Sequence, residues 1–268
     1  YRVNAAMLAD ARNGLQGHHP SNLGCAIADV LAGEFSCPAF VVDPVSVDEF
    51  DPVAYYSGHP SIRRRSLSHA VSLHAVARKA AAERGLALER SSFVIGHLGG
   101  GISIAALRAG RIVDVNDAAS DGPFSPERTG GLPLQPFIGV ARSASMTEAE
   151  VRSFVMGKGG LVAYLGTNSV AEAEAMAIGG DAKARDILDA MAYQIAKEIG
   201  AMSCALAGKV DAVVLTGGVA RATTVTAAVE RRVRWIAPVI IYPGDDEMAG
   251  LAQGAFRVLE GTEQPLEY

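Results

Sequence analysis

The stretch SSFVIGHLGGGISIAAL, residues 91–107, decides the fold of this protein. Two apolar runs, Phe93–His97 and Ile102–Leu107, lie on either side of three consecutive glycines. Short apolar runs bounded by glycine are typical of buried strands. The stretch therefore predicts two neighbouring strands joined by a glycine-rich turn.

Strands and helices alternate along the rest of the chain. Arg111–Val115 alternates polar and apolar residues, and residues 211–215 and 239–242 are short apolar runs that each precede a helical pattern. The longest helix is predicted from about Asp181 to Leu206, and its apolar residues fit core or subunit packing. They are Ile187, Met191, Ile195, Ile199, Met202 and Leu206. This alternation predicts an α/β fold with a largely parallel sheet.

The N-terminal part is less regular. Ser21 is a candidate N-cap for a helix with Leu23, Ile27, Val30 and Leu31 on one face. Residues 38–43 read as a short buried strand, and a long helix is predicted from Ser66 or Ser68 to Gly85.

Composition excludes several classes of partner. The 268 residues carry a net charge of −5, so we expect no nucleic acid partner, since phosphate backbones select clustered Lys and Arg. The short run Arg63–Arg65 is either a solvated turn or a positive rim for an anionic ligand. No apolar run reaches the ~20 residues of a membrane span. Three cysteines without a CxxC pair suggest reduced thiols and a cytoplasmic protein.

Two glycine-rich strand ends are candidates for phosphate binding. Gly99–Gly101 follows one predicted strand, and Gly217–Gly218 follows another and precedes a helix. Glycines let the main chain approach a ligand, and a helix N-terminus favours an anion. Either stretch alone could be a plain turn. The run Gly157–Gly160 lacks the Ser/Thr and the preceding strand of a P-loop.

The loop GPFSPERTGG, residues 122–131, presents Arg128. A guanidinium is a natural partner for a phosphoryl group in transfer, although Arg128 could equally pair with Glu127 or a nearby carboxylate. His19, His69 and His97 are either active-site groups or ordinary polar side chains, and no histidine has zinc-ligand spacing.

Six segments together resemble the acetate and butyrate kinase family, most closely its butyrate and branched-chain carboxylate kinases. They are HLGGGIS (97–103), GPFSPERTGGLP (122–133), GKGGLVAYLGTN (157–168), AMAYQIAKEIGAM (190–202), VDAVVLTGGVA (210–220) and IAPVIIYPGDDEM (236–248). The resemblance implies the two-domain fold shared by acetate kinases, sugar kinases, heat-shock chaperones and actin, which is ribonuclease H-like. It implies transfer of a phosphoryl group from ATP, with Mg²⁺, to a short carboxylate. We also expect a homo-oligomer.

The resemblance also assigns site residues. Four catalytic residues are implied: Arg128 would neutralise the phosphoryl group, His69 would support the transition state, His97 would lie beside the phosphates, and Asp43 matches an active-site aspartate. His19 and Asn22 would lie near the acyl substrate. The nucleotide would contact Gly99, Gly100, Gly101, Asn168, Gly217, Gly218, Val219 and Ala220. Asp246 and Glu247 match the acidic pair near the magnesium. The domains implied are a remnant of the acyl-substrate domain (1–90), a nucleotide-binding domain (91–245) and a C-terminal helix that returns toward the first domain (246–268).

The sequence departs from the family at three places. Asn168 is followed by Ser-Val-Ala-Glu where Asp-x-Arg-Glu is usual, so two residues of the adenosine clamp are missing. Ser68 stands where an aromatic is usual, and His74 replaces a Lys or Gln. The family also begins about ninety residues earlier, with a phosphate loop and an active-site Arg, so the first domain is expected to be incomplete. We therefore expect weak nucleotide binding and little kinase activity from this chain alone. An inactive nucleotide-binding relative, and a subunit or fragment that needs the missing block, remain open.

Overall fold

The computed structural model describes residues 1–14, 20–244 and 247–268. In these ranges the chain forms ten α-helices and five strands. Their order is α1 (Ala5–Asn13), α2 (Leu23–Phe35), α3 (Ala70–Glu83), β1 (Ser92–Leu98), β2 (Ile102–Arg108), β3 (Arg111–Val115), α4 (Leu134–Ser143), α5 (Glu148–Met156), α6 (Gly160–Leu165), α7 (Val170–Ile178), α8 (Ala182–Ala205), β4 (Ala212–Gly217), α9 (Thr223–Val233), β5 (Val239–Pro243) and α10 (Glu247–Leu259).

The five strands form one sheet in the order β3-β2-β1-β4-β5. β1 pairs antiparallel with β2 and parallel with β4, while β2–β3 is antiparallel and β4–β5 is parallel. The strands lie where the sequence predicted them, but the expectation of a largely parallel sheet is wrong, because the glycine turn after β1 forms a hairpin. β1 therefore has one antiparallel neighbour and one parallel neighbour.

The core lies between this sheet and α8. Asp181 accepts a hydrogen bond from the main-chain N–H of Ala184, 3.0 Å away, and so caps α8 at its start. The apolar stripe of α8 is buried, with Met191, Ile195 and Ile199 fully enclosed. The prediction that this stripe serves packing is confirmed for the core.

By contacts between residues the chain divides into two units. One contains residues 1–47, 70–72 and the C-terminal residues from α10 onward, and the other contains residues 48–69 and 73–244 with the whole sheet. Residues 48–69 and 73–90 thus group with the sheet by contacts. The domain limits implied by the family resemblance stay a prediction.

The first unit holds three helices and a short extended segment. Phe40 makes an isolated bridge with Arg2, and α10 approaches this segment closely enough that a side chain at Gly254 would overlap Val42. The prediction of a strand over residues 38–43 is therefore wrong, since only one residue pairs. Asp43 follows the bridge with a φ of +43°.

The helix predicted after Ser21 is present, but its N-cap is a different residue. α2 begins at Leu23, its N-cap is Asn22, and a 3₁₀ turn occupies Pro20–Asn22. Leu23, Ile27 and Val30 are 64%, 58% and 63% exposed. The apolar face predicted for this helix is exposed in the described part of the chain.

Candidate active site

The ends of β1 and β4 lie side by side, and this brings both glycine-rich turns to one edge of the sheet. His97 of β1 pairs with Thr216 of β4. Gly217 has a φ of +90°, and a side chain there would overlap the main chain of Leu98. Only glycine suits such a backbone conformation and such an approach. The two candidate phosphate turns are therefore neighbours, as a nucleotide site between them requires.

The turn after β4 offers mainly its main chain to a ligand. Gly218 begins a 3₁₀ turn, Gly218–Arg221, and a side chain there would meet open space. Val219 and Ala220 turn their side chains into the core, where they are 6% and 3% exposed. If these two residues contact a nucleotide, they do so through backbone atoms.

Arg128 lies against the glycine turn that follows β1. A Cβ atom on Gly101 would come within 2.7 Å of Cζ of Arg128. Nη1 of Arg128 donates a hydrogen bond to the carbonyl oxygen of Ala118, 2.7 Å away, while Glu127 accepts one from Asn168 at 2.6 Å. The guanidinium is thus placed beside the candidate phosphate turn. Asn168, predicted on the adenosine side, is connected to the same loop through Glu127.

The charge of Arg128 is retained despite its burial. Desolvation by burial lowers the pKa of Arg128, and the nearby carboxylates of Glu127 and Asp117 oppose this. Because a guanidinium ordinarily has a pKa above ~12, it remains cationic at neutral pH. The loop therefore presents a fixed positive charge at the edge of the sheet.

Two further features hold the Arg128 loop in place. Oγ of Ser125 donates to the carbonyl oxygen of Gly100 at 2.5 Å and accepts from the main-chain N–H of Arg128 at 3.2 Å. Gly160 has a φ of +58° and packs against the carbonyl of Ser125 so closely that a side chain would overlap it. The run Gly157–Gly160, which lacks a P-loop pattern, therefore supports the Arg128 loop by packing against its main chain at Ser125.

His69 and His97 stack face to face next to the glycine turn. Their ring centroids are 4.0 Å apart and their planes differ by 11°. Nε2 of His97 would lie 3.1 Å from a Cβ atom on Gly99. Burial lowers the pKa of His97 to about 4, so its ring is neutral at pH 7. Nδ1 of His69 lies 2.9 Å from Oγ of Ser103.

Sequence reasoning did not identify three polar residues that hold this arrangement together: Ser103, Ser125 and Asn116. Asn116, 1% exposed, accepts a hydrogen bond from the N–H of Ile104 at 2.6 Å and donates one to the carbonyl of Ile102 at 3.0 Å. It thereby continues the ladder of β2 beyond the end of β3. Its position directly after a predicted strand was the only signal in the sequence.

The basic run Arg63–Arg65 is engaged by neighbouring groups. Arg64 contacts Asp114 at 2.8 Å, Arg65 contacts Asp117 at 2.9 Å, and Arg63 stacks on the ring of Tyr55. These contacts favour the interpretation as a surface turn over a rim for an anionic ligand.

Asp121 is a buried carboxyl group in the loop that leads to Arg128. Burial, reinforced by the charge of Asp117, raises the pKa of Asp121 to about 6, although Arg64 opposes the shift. Its Oδ1 atom is buried without a hydrogen-bond partner among the described residues. The carboxylate form of this side chain is therefore costly at neutral pH.

The remaining predicted site residues belong to the first unit or fall outside the described residues. Asn22, Asp43 and Glu247 belong to the first unit, where Asn22 precedes α2 and Glu247 begins α10. His19 and Asp246 lie outside the described residues. Within the ranges that the structure describes, no group of three His, Cys, Asp or Glu side chains could hold a metal ion. The roles of these five residues stay predictions.

Residues 51–237 match the model of a known protein family, the acetokinase family. The chain belongs to the acetokinase family. A probable butyrate kinase of Listeria monocytogenes is 48% identical over 269 residues, which are all of this chain and 76% of the relative. A probable butyrate kinase 2 of Caldanaerobacter subterraneus is 47% identical over 268 residues, again with 76% of the relative covered. The predicted family, and with it the class of carboxylate kinases, is confirmed.

Solved structures of acetokinase type share the fold. The acetate kinase of Porphyromonas gingivalis superposes with a TM-score of 0.81 at 20% identity, covering 96% of this chain and 73% of the other. A propionate kinase from Francisella tularensis gives 0.80 at 18% identity, with 96% and 74% covered. The predicted fold class is confirmed. In the ranges of this chain that the structure describes, no helix is both long and apolar enough to cross a membrane.

Proposed function

We propose that the protein transfers the γ-phosphoryl group of ATP to a short-chain carboxylate, butyrate or a close analogue, and forms an acyl phosphate and ADP. The observation that carries the proposal is the position of Arg128. Its guanidinium lies against Gly101, at the edge of the sheet where the turns after β1 and β4 meet. A cation beside a phosphate turn can neutralise charge on a phosphoryl group that leaves the nucleotide.

The chain has suitable groups for the nucleotide. A side chain would meet open space at Gly218 and only Oε2 of Glu127, 3.8 Å away, at Gly100, so neither turn is closely covered and the main chain of both is accessible to phosphate oxygens. When bound, ATP supplies the phosphoryl group and Mg²⁺ offsets its negative charge. Mg²⁺ is usually bound by one or two carboxylates together with phosphate oxygens and water. Asp246 and Glu247 are the residues that the family resemblance assigns to it.

The acceptor needs no general base. A carboxylate is already ionised at neutral pH, so its oxygen can attack without proton transfer. The residues of this chain then have three tasks: they position the acceptor, exclude water, and donate hydrogen bonds and positive charge to the phosphoryl oxygens. Arg128 supplies charge, and His69 and His97 are the neighbouring side chains that could donate hydrogen bonds.

Arg128→Ala tests the proposal. In a preparation that forms acyl phosphate, we expect kcat to fall by about 10²–10³-fold while the affinity for ATP changes little, because the guanidinium acts mainly in the transition state. The acyl phosphate is trapped with hydroxylamine and measured as the hydroxamate, with acetate, propionate, butyrate and isobutyrate as acceptors. Arg152→Ala is the control, since Arg152 is an exposed residue paired with Glu148. Unchanged turnover in Arg128→Ala would leave Arg128 with a structural role only.

A second candidate is a nucleotide-binding protein without catalysis, and the segment after Asn168 favours it. Ser169 caps α7 by accepting from the N–H of Glu172, and the side chain of Val170 is buried, so both serve the start of this helix. Ala171 provides no charged group for a nucleotide. Stabilisation by ATP without acyl phosphate formation from any acceptor would support this candidate. A ligand at ~100 times its dissociation constant should add ~2.7 kcal/mol to the free energy of unfolding.

Two other expectations belong with the proposal. We expect a cytoplasmic protein and a homo-oligomer. Fractionation of cells and light scattering of the purified protein test them.

A further inference from the structure

Ser103 is a buried polar residue that contacts one of the two stacked histidines, His69. It lies in β2, opposite His97 of β1, and is 0% exposed. Its Oγ atom is 2.9 Å from Nδ1 of His69 and 3.4 Å from the main-chain nitrogen of His69. One hydroxyl thus meets both the backbone and the ring of the same residue.

The protons at this hydroxyl can be assigned. The main-chain N–H of His69 can only donate, so Oγ accepts from it. If Nδ1 also donated, Oγ would accept two hydrogen bonds, and its own proton would have no acceptor among the described residues. A buried hydroxyl proton without an acceptor is unfavourable. The arrangement that pairs every group has Oγ donating to Nδ1, with the ring proton of His69 on Nε2.

We propose that Ser103 is a positioning residue that holds His69 as the neutral tautomer with its proton on Nε2. His69 then acts toward its ligand as a directed hydrogen-bond donor and not as a cation. The stack with His97 at 4.0 Å fixes the plane of the ring, and the bond to Ser103 fixes its rotation within that plane. Together they aim the N–H of Nε2 in one direction.

The link to phosphoryl transfer rests on the proposed function, but the tautomer of His69 does not. Long-range ¹H–¹⁵N NMR of the full chain labelled at its six histidines reports which ring nitrogen carries a proton. His69→Gln identifies the signals of His69 by their loss. We expect the Nε2–H tautomer in the unmodified protein at neutral pH. The Nδ1–H tautomer, or a doubly protonated ring, would overturn the proposal whether or not the protein proves to be a kinase.

Ser103→Ala should remove the preference of His69 for one tautomer. We expect signals of mixed tautomers and a kcat about tenfold lower, since one neutral hydrogen bond is lost, with the KM for ATP and for the carboxylate within about twofold. Ser103→Thr keeps the hydroxyl and should restore the Nε2–H signal. Ser203→Ala is the matched control, because Ser203 is also buried but donates to Ile199 within α8. A pure Nε2–H signal in Ser103→Ala would show that Ser103 does not fix the tautomer.

Glutamine and asparagine at position 69 separate the two ring nitrogens. The side-chain amide of Gln reaches the position of Nε2, and that of Asn the position of Nδ1. If the donor is Nε2, we expect His69→Gln to retain at least tenfold more kcat than His69→Asn. Equal loss in both variants would contradict the role of Nε2–H in turnover, while the NMR result would stand by itself.

Discussion

Gly101 offers a sharp test of the position of Arg128. Gly101 is not among the glycines with positive φ, so alanine is conformationally allowed there and its effect is steric. The new Cβ atom would lie 2.7 Å from Cζ of Arg128, whereas carbon atoms in contact are ~3.5–4.0 Å apart. The guanidinium must therefore move by about 1 Å. A misplacement of ~1 Å can lower a rate ~10²-fold, which corresponds to ~2.7 kcal/mol of transition-state stabilisation.

We therefore expect Gly101→Ala to lower kcat about 100-fold and to leave the thermal midpoint nearly unchanged. Hydroxamate trapping measures kcat, and calorimetry measures the midpoint. Gly100→Ala is the comparison, because its Cβ atom would meet only Oε2 of Glu127 at an ordinary 3.8 Å. The methyl group added by Gly100→Ala lies on the turn itself and does not displace the guanidinium, so it should raise the KM for ATP and lower kcat much less.

A double-mutant cycle decides whether the effect runs through Arg128. In an Arg128→Ala background the guanidinium is gone, so adding Gly101→Ala should cost little more. Full additivity of the two losses in kcat would refute the reasoning. So would an equal loss of kcat in Gly100→Ala and Gly101→Ala.

Three further outcomes are expected. Between pH 7 and pH 5, His97 lowers the free energy of unfolding by ~2 kcal/mol, because its ring binds a proton in the unfolded chain but not while it is buried. Asp121, whose pKa is raised in the folded protein, offsets ~1 kcal/mol of this loss. Urea unfolding should therefore show a steeper loss of stability with acid in Asp121→Asn than in the unmodified protein. Gly160→Ala should cost more than ~3 kcal/mol, whereas Gly166→Ala, with a φ of +76° and open space, should cost ~1–2 kcal/mol. Asn116→Ala should cost ~2–4 kcal/mol in urea unfolding, because two buried main-chain groups lose their partner.

The sheet and its main helix could be predicted from the sequence because both carry a strong local pattern. β1, β2 and β4 are continuous apolar runs, since they are buried on both faces. The stripe of α8 repeats over the whole helix. The orientation of the strands could not be predicted from the same pattern. A glycine run between two apolar runs fits a hairpin or a loop, and only pairing in space made β1 and β2 antiparallel.

The first unit was predicted less well because apolar pattern does not specify what covers it. The stripe of α2 has the same periodicity as a core helix, yet Leu23 and Val30 are exposed in the described structure. Residues 38–43 have strand-like composition, but a strand requires a neighbour along its length, and only Phe40 finds one.

Within the candidate site, residue types that stand out in sequence were identified and those that act through a neighbour were not. Arg128 and the glycine runs have chemistry that a phosphate site needs, so they attract attention by themselves. Ser103 is a polar residue within an otherwise apolar run of β2, and its partner His69 is distant in sequence. The stack of His69 on His97 likewise depends on two elements that meet only in the folded chain.

The two sides of the site differ in how firmly they are anchored. β1 is the central strand, and Phe93, Val94 and Ile95 are at most 1% exposed, so its amide protons should exchange with solvent only when the whole sheet unfolds. The Arg128 loop instead leads into α4 and α5, which as described bury none of their residues. Amides there should exchange through small local openings. The segment next to Arg128 can therefore open at a fraction of the free energy of unfolding, while the glycine turn after β1 stays in place.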